Sequence, residues 1–301
     1  MRRRHAGTAG KRNQGQVAAP RDSSCADGAI MATVSTREPA VVTETLSRRF
    51  GDLIAVADVS MAVLQGEIFG LIGPNGAGKT TLIKMLTTLL PPSSGTARVA
   101  GFDVVAQAAE VRKRIGYVPQ LLSADRSLTG YENMLLSARL YAIPRRERAQ
   151  RIAEALSAMN LTEAAGRLVL HYSGGMIRAL EIAQSMLHRP KVLMMDEPTV
   201  GLDPIARRVV RDRVRALRAT LGMTMLITTH DMGEADELCD RIALMHNGRI
   251  EVTGSPAELK AQVEPGATLD DVFAHFIGVE IQPGGGYREA QLARQSIREH
   301  R

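Results

Sequence analysis

The sequence predicts an α/β fold with an antiparallel β segment near its start and an all-helical insert in its middle. Three observations carry that expectation. The apolar run Ile68-Phe69-Gly70-Leu71-Ile72 is followed by GPNGAGKTT, Gly73 to Thr81, and then by Leu82 to Leu86 with helical apolar spacing. Two further apolar runs, Val192 to Met195 and Met223 to Thr228, end in charged or polar residues, as buried strands do at a sheet edge. Residues from about 125 to 170 show helical periodicity instead.

The strand, Gly-rich loop and helix around Gly73–Thr81 meet the context that a G-x-x-x-x-G-K-[ST] phosphate loop needs. Gly73, Gly76 and Gly78 permit positive φ and close approach, so successive N–H groups can turn inward on a triphosphate. The helix beginning near Lys79 adds the positive end of its dipole. Lys79 supplies a point charge for the β- and γ-phosphates, and the Thr80 hydroxyl is placed to ligate Mg²⁺. A Gly-rich turn that merely precedes a helix is the bland alternative, and the flanking strand and helix argue against it.

Composition narrows the class. The chain has 301 residues, 45% of them hydrophobic and only 3% aromatic with no Trp, so its core must rest on Leu, Val, Ile, Met and Ala. No run approaches the roughly 20 apolar residues of a membrane-spanning helix. If the protein acts on a membrane, another chain supplies the spans. Two cysteines, Cys25 and Cys239, cannot form a framework and suggest a reducing, cytoplasmic setting. The formal charge is +6, but residues 1–30 carry six basic side chains against two acidic ones, leaving the remainder near balance. Such a tail is more often a solvated extension than a nucleic-acid arm.

Taken in order, residues 1–38 lack periodicity and any secretory apolar segment and read as a disordered basic extension, with Met31 a plausible alternative start. Ala40 to Leu64 reads as short alternating strands, with Arg48-Arg49-Phe50-Gly51 as a turn. Phe50 can fold back to stack on a base, with Val56 at the other edge, or be an ordinary edge-strand aromatic; the residues alone leave both open. Pro91-Pro92-Ser93-Ser94-Gly95 ends the helix after the loop, and a strand follows from Thr96 to Ala100. Arg114 to Val118 is another, and Gln120 just beyond it is placed to reach a metal or water, or simply solvent.

The helical stretch opens with a capping box, Thr129 to Glu132, and Pro144 starts a second helix. Ser173-Gly174-Gly175 then heads another helix, Met176 to Leu187, as a second Gly-backed N-terminus with a hydroxyl at its cap. The run Val192–Met195 ends in Asp196-Glu197-Pro198. Adjacent carboxylates at a buried strand's edge are costly unless they serve a metal or a proton transfer. Asp196 suits Mg²⁺, whereas Glu197, opposite in the pleat, suits a base that activates water. Gly201-Leu202-Asp203-Pro204 forms the next turn. His230, after Met223–Thr228, falls at the same edge, placed to sense a terminal phosphate. Arg241–Met245 and Arg249–Thr253 form a hairpin through Asn247-Gly248, a type I′ signal, and Leu269–Ile277 is a short amphipathic segment.

Together these stretches resemble the nucleotide-binding subunit of an ATP-binding-cassette (ABC) transporter over residues 40–280. Gly73, Pro74, Asn75, Gly76, Ala77, Gly78, Lys79, Thr80 and Thr81 match the Walker A loop. Gln120 matches the Q-loop, Ser173-Gly174-Gly175 the signature, Val192–Glu197 Walker B, Gly201–Asp203 the D-loop and His230 the switch histidine. Phe50 lies where the family has its adenine-stacking aromatic. Thr268 to Phe273, followed by Gly278, resembles the C-terminal motif of daunorubicin-resistance-type ATPase subunits, whose membrane part is a separate polypeptide. Tyr172, where Leu is usual, and Met176-Ile177, where polar residues are commoner, depart from the pattern.

The resemblance implies a P-loop NTPase fold, an ABC ATPase cassette over residues 39–281 with an antiparallel β subdomain and a helical subdomain at about 121–187. Residues 282–301, rich in Gly and Arg, are expected to be a flexible tail. It implies ATP and Mg²⁺ as cofactors, Thr80, Gln120 and Asp196 toward the metal, and Glu197, His230, Gln120 and Lys79 as catalytic groups. Two copies would pair head to tail, with Ser173, Gly174 and Gly175 of one covering ATP held by the other. A separate transmembrane permease, for export of a drug or other hydrophobic compound, would hold the chain on the inner face of the cell membrane. The competing class is a soluble ABC ATPase working on the ribosome or DNA ends. A single cassette, a span from Gly95 to Tyr172 too short for a coiled coil, and a near-neutral core argue against it, and no specific nucleic acid is expected. Intact Glu197 and His230 disfavour a cassette that binds without hydrolysing.

Overall fold

The computed structural model describes residues 38–278. The extension expected over residues 1–38, apart from Glu38 itself, the start at Met31, Cys25 and the tail from residue 282 lie outside the described residues. The first two strands, β1 (Pro39–Phe50) and β2 (Leu53–Leu64), are longer than their alternation suggests and pair antiparallel. Arg48, Arg49 and Phe50 belong to β1, opposite Val56, Ile54 and Leu53, and the turn is confined to Gly51-Asp52. Polar side chains read as a turn here because they simply face water on an open ribbon, while register shifts along the pair absorb its twist.

The buried run is β3 (Ile68–Ile72), and it feeds α1 (Lys79–Leu86) through the glycine loop. β4 (Ser94–Val99) and β5 (Phe102–Asp103) complete a four-stranded sheet in the order β2-β1-β4-β5. α2 (Ala108–Arg112) leads to β6 (Ile115–Val118). The helical insert is α3 (Gly130–Leu140), α4 (Arg145–Ala158) and, after a single turn at Val169–His171, α5 (Gly174–Met186). Both halves of the Thr129–Glu132 capping box form, and Pro144 is the N-cap of α4.

β7 (Val192–Asp196), α6 (Pro204–Leu221), β8 (Thr224–Thr229), α7 (Met232–Leu238) and β9 (Arg241–His246) follow. β10 (Arg249–Gly254), α8 (Pro256–Ala261) and α9 (Leu269–Ile277) end the described chain. Asn247 and Gly248 both take positive φ, 46° and 81°, as the type I′ signal at this hairpin requires.

The second sheet runs β10-β9-β3-β8-β7-β6, parallel except for β10. It is covered on both faces, which explains the unbroken apolar runs. Ile68 and Ile72 of β3 join the core shared with α3–α7 and α9, while Phe69 and Leu71 join the core beneath α1 and the antiparallel sheet. Because β3, β8, β7 and β6 are neighbours and point the same way, the loops at their carboxyl ends meet at one edge.

Candidate active site

The phosphate loop leaves β3 at that edge. Gly76 and Gly78 take φ of 83° and 105°, conformations glycine adopts without strain. Gly73 does not need positive φ; its requirement is space, because a Cβ there would collide with the Met245 carbonyl oxygen. Gly248 of the β9–β10 turn donates its N–H to Ala77 O at 3.0 Å and thereby fastens the hairpin to the loop. α1 starts without a side-chain cap and without an acidic residue in its own first turn, so the helix itself leaves its N-terminal N–H groups to an anion.

Lys79 is 5% exposed and curls back on its own loop, donating to Gly73 O at 2.7 Å and Pro74 O at 3.1 Å. Its ammonium also lies 3.4 Å from Glu197 Oε1. Burial holds its pKa below the usual lysine range, against the pull of Glu197 and Asp196. The other Glu197 oxygen, Oε2, meets His230 Nδ1 at 3.2 Å and accepts from Gln120 Nε2 at 3.4 Å. Burial raises the Glu197 pKa, but His230 and Lys79 together outweigh it and leave the carboxyl below its ordinary value. It is therefore ionised at neutral pH.

Asp196, 1% exposed, accepts from Thr80 Oγ1 at 3.2 Å and from Thr228 Oγ1 at 2.6 Å. The two carboxylates divide the edge between them by a backbone turn as well as by the pleat. Glu197 lies just past β7 with φ of 46°, a left-handed conformation uncommon for glutamate, held by Thr228 through Oγ1 and O at 2.9 and 3.2 Å from the Glu197 N–H. That turn sends its side chain into the cleft beside Lys79.

The cleft has a volume of about 770 Å³ and is lined by Asn75 to Thr81, Gln120, Glu197, Val200, His230 and the Asn247-Gly248 turn. Phe50, Leu53, Ile54 and Ala55 form an apolar wall, and Phe50 is 44% exposed. Val56, expected at the nucleotide with Phe50, is not part of that wall. It is fully buried in the core because the strand's pleat turns it inward. Thr80 and Asp196, hydrogen-bonded to one another, offer oxygen donors of the type that Mg²⁺ takes, and Gln120 lines the same cleft with its amide nitrogen on Glu197.

Ser173, Gly174 and Gly175 do not line this cleft. Ser173 is exposed and caps α5 by accepting from Met176 N at 3.3 Å, while Gly175 packs on Ala206 of α6, where a Cβ would sit at 3.0 Å. Asp203 caps α6, accepting from Ile205 N and Ala206 N. The departures around the signature are absorbed inside the fold: the Tyr172 hydroxyl donates to Ala164 O at 2.7 Å, and Ile177 is buried in the core.

Several residues that hold this site escaped the sequence reading. Arg178, 1% exposed on α5, donates to the Pro119 and Gln120 carbonyls at 2.7 and 2.8 Å and pairs with Glu181 at 3.0 Å. Glu181 in turn accepts from the Ser123 and Ala124 N–H groups, so one buried ion pair on α5 fixes the loop that carries Gln120. The available signal was a charged pair three residues apart on an otherwise apolar helix. Thr228 and Thr229, two hydroxyls ending a buried strand, were a second.

A family model described as ABC transporter matches residues 56–200. The daunorubicin/doxorubicin resistance ATP-binding protein DrrA of Streptomyces peucetius is 44% identical over 233 residues, covering 77% of this chain and 70% of that protein. The Nod factor export ATP-binding protein I of Sinorhizobium fredii is 42% identical over 225 residues, covering 75% of this chain and 65% of the relative. A solved ATP-binding subunit of an ABC transporter superposes with a TM-score of 0.70 at 29% identity, covering 79% of this chain and 99% of that one. With phosphate loop, paired carboxylates and histidine converging on one sheet edge, the chain belongs to the ABC transporter family, as an ATP-hydrolysing cassette of the daunorubicin-resistance type.

Proposed function

We propose that this chain works as a head-to-tail pair of copies that hydrolyses ATP and drives a separate membrane-spanning permease, exporting a drug or other hydrophobic compound. The observation that carries the pairing is the separation of two anion-ready corners: the Lys79 cleft is built by one chain, and the exposed Ser173 cap lies outside it. A second copy presenting Ser173 and Gly174 to that cleft completes the enclosure of a triphosphate, and one self-complementary interface serves both sites. Among the described residues no helix is long and apolar enough to cross a membrane, which fits a partner that supplies the spans. Drug resistance and export in the names of relatives support the direction of transport. The chain would then sit at the inner face of the membrane through its permease.

Within the cleft, Phe50 stacks on the adenine and the loop N–H groups hold the phosphates. Lys79 exchanges the Glu197 carboxylate for the β- and γ-phosphate oxygens, which leaves Glu197 free to orient and deprotonate the attacking water. Thr80 and Asp196, with Gln120 beside them, would hold Mg²⁺, whose charge offsets that of the phosphates. His230 faces the terminal phosphate from beside Glu197. A basic groove for nucleic acid is not part of this site, which disfavours the ribosome or DNA alternative.

The test is ATP-dependent association of Glu197→Gln. Light scattering should show a monomer without nucleotide and a dimer with ATP, and Ser173→Arg should abolish the dimer. A strictly monomeric species at saturating ATP would overturn the pairing.

A further inference from the structure

His230 has little to hold it in place. Its imidazole is 41% exposed and its described polar contact is the one with Glu197. Its orientation is set by the chain on either side, and there one hydroxyl does two jobs. Thr229 Oγ1 donates to Glu234 Oε2 at 2.7 Å and accepts from the Asp231 N–H at 3.0 Å. Asp231 closes the ring by accepting the Glu234 N–H at 3.0 Å. Residues 229 and 231 are thus fixed to one another and to the first turn of α7, with His230 between them.

Glu234 itself is an odd occupant of its position. It is 2% exposed, makes no ion pair among the described residues, and its Oε1 makes no close hydrogen bond. Burial pushes its pKa up, with Thr229 and Thr199 opposing. The Asp231 charge adds to that burial and the Arg211 guanidinium offsets part of it, so two hydroxyls and a cation with no direct ion pair to it share the compensation of a group that burial disfavours. The Thr199 hydroxyl, two residues beyond Glu197, is a second partner of the same carboxyl, so Glu234 is tied to the chain that follows Glu197 as well as to the chain that carries His230.

Building on the placement of His230 at the terminal phosphate, we propose that Glu234 is a positioning residue for His230, acting through the Thr229 hydroxyl. Ground-state ATP affinity is set at Lys79 and the glycine loop, so loss of Glu234 should be felt in turnover and not in binding.

The experiment measures ATP hydrolysis by the full chain over a range of ATP concentrations. Glu234→Ala should lower kcat about 10-fold while KM stays within about twofold, since small displacements of a group near the reacting atoms are costly in rate. Glu234→Gln should keep kcat within about twofold, because its amide oxygen still accepts from Thr229. Thr229→Val should reproduce the loss, and it carries the test if Glu234→Ala does not fold. In a His230→Ala background, Glu234→Ala should add less than about twofold, as expected of two residues on one path. A general weakening of the fold would lower the rate in both backgrounds, and that result would overturn the inference. So would a silent Glu234→Ala beside a damaged His230→Ala. Wild-type turnover in His230→Ala alone would instead overturn the role given to the histidine, and this inference with it.

Discussion

The chain contains two helix N-termini built from the same parts, and they have different fates. At Gly73–Thr81, glycines, a lysine and a hydroxyl open α1; at Ser173–Gly175, a hydroxyl and two glycines open α5. The first lies where four parallel strands end, so Asp196, Glu197, Gln120 and His230 arrive around it and Lys79 is buried among them. The second leaves the sheet edge, faces outward, and keeps its hydroxyl on its own helix. A helix dipole and a few glycines therefore make an invitation to an anion. Converging side chains from neighbouring strands make a site.

Substitutions at the two corners test that contrast, and the largest effect belongs to the first. Glu197→Gln should retain ATP yet lose on the order of 10²–10⁴-fold in turnover if, as proposed, the carboxylate takes the proton of the attacking water. Steady-state phosphate release measures it, and an unchanged rate would remove Glu197 from the base role. Lys79→Ala should weaken binding of a fluorescent ATP analogue about 10²-fold, the usual scale for deleting one partner of a buried charge contact.

Ser173→Ala sharpens the comparison from the other side. Nucleotide affinity of the single chain should stay unchanged, while turnover falls about 10-fold through loss of a donor to the terminal phosphate. If nucleotide affinity of the monomer dropped as well, the two corners would not be separate. The smallest effect is one of stability. The folded-state pKa of Glu234 is raised by burial, so the native chain binds its proton more tightly than the unfolded chain. Stability from this group is then fully present below the ordinary carboxylate pKa and is lost as pH rises through the raised value. Glu234→Gln should raise Tm by about 2–4 °C at neutral pH, with the gain fading as pH falls toward the ordinary value. Calorimetry across that range checks both the sign and the window.

Much of this site is legible in the chain because its chemistry is local. The phosphate loop needs its glycines in sequence, and Asp196-Glu197 and His230 declare themselves by ending buried apolar runs. The residues that position them are not local. Arg178 and Glu181 reach Pro119, Gln120, Ser123 and Ala124 from more than fifty residues away, and no spacing rule links them. Val56 failed for a related reason: proximity in sequence to Phe50 says nothing about which face of the pleat a residue takes once bulges shift the register. Gly73 likewise is glycine because of the Met245 carbonyl, a partner visible only after β9 docks beside β3.

By itself the sequence determined the buried parallel strands, the glycine loop, the Thr129 and Ser173 caps and the candidates for reacting groups, since each follows from periodicity and from the conformational needs of a few adjacent residues. The tertiary structure alone decided which groups share a cleft, which turn aims Glu197 at Lys79, and which buried charges brace the loops. Those depend on the order of strands in the sheet, and strand order is a property of packing that no single stretch encodes.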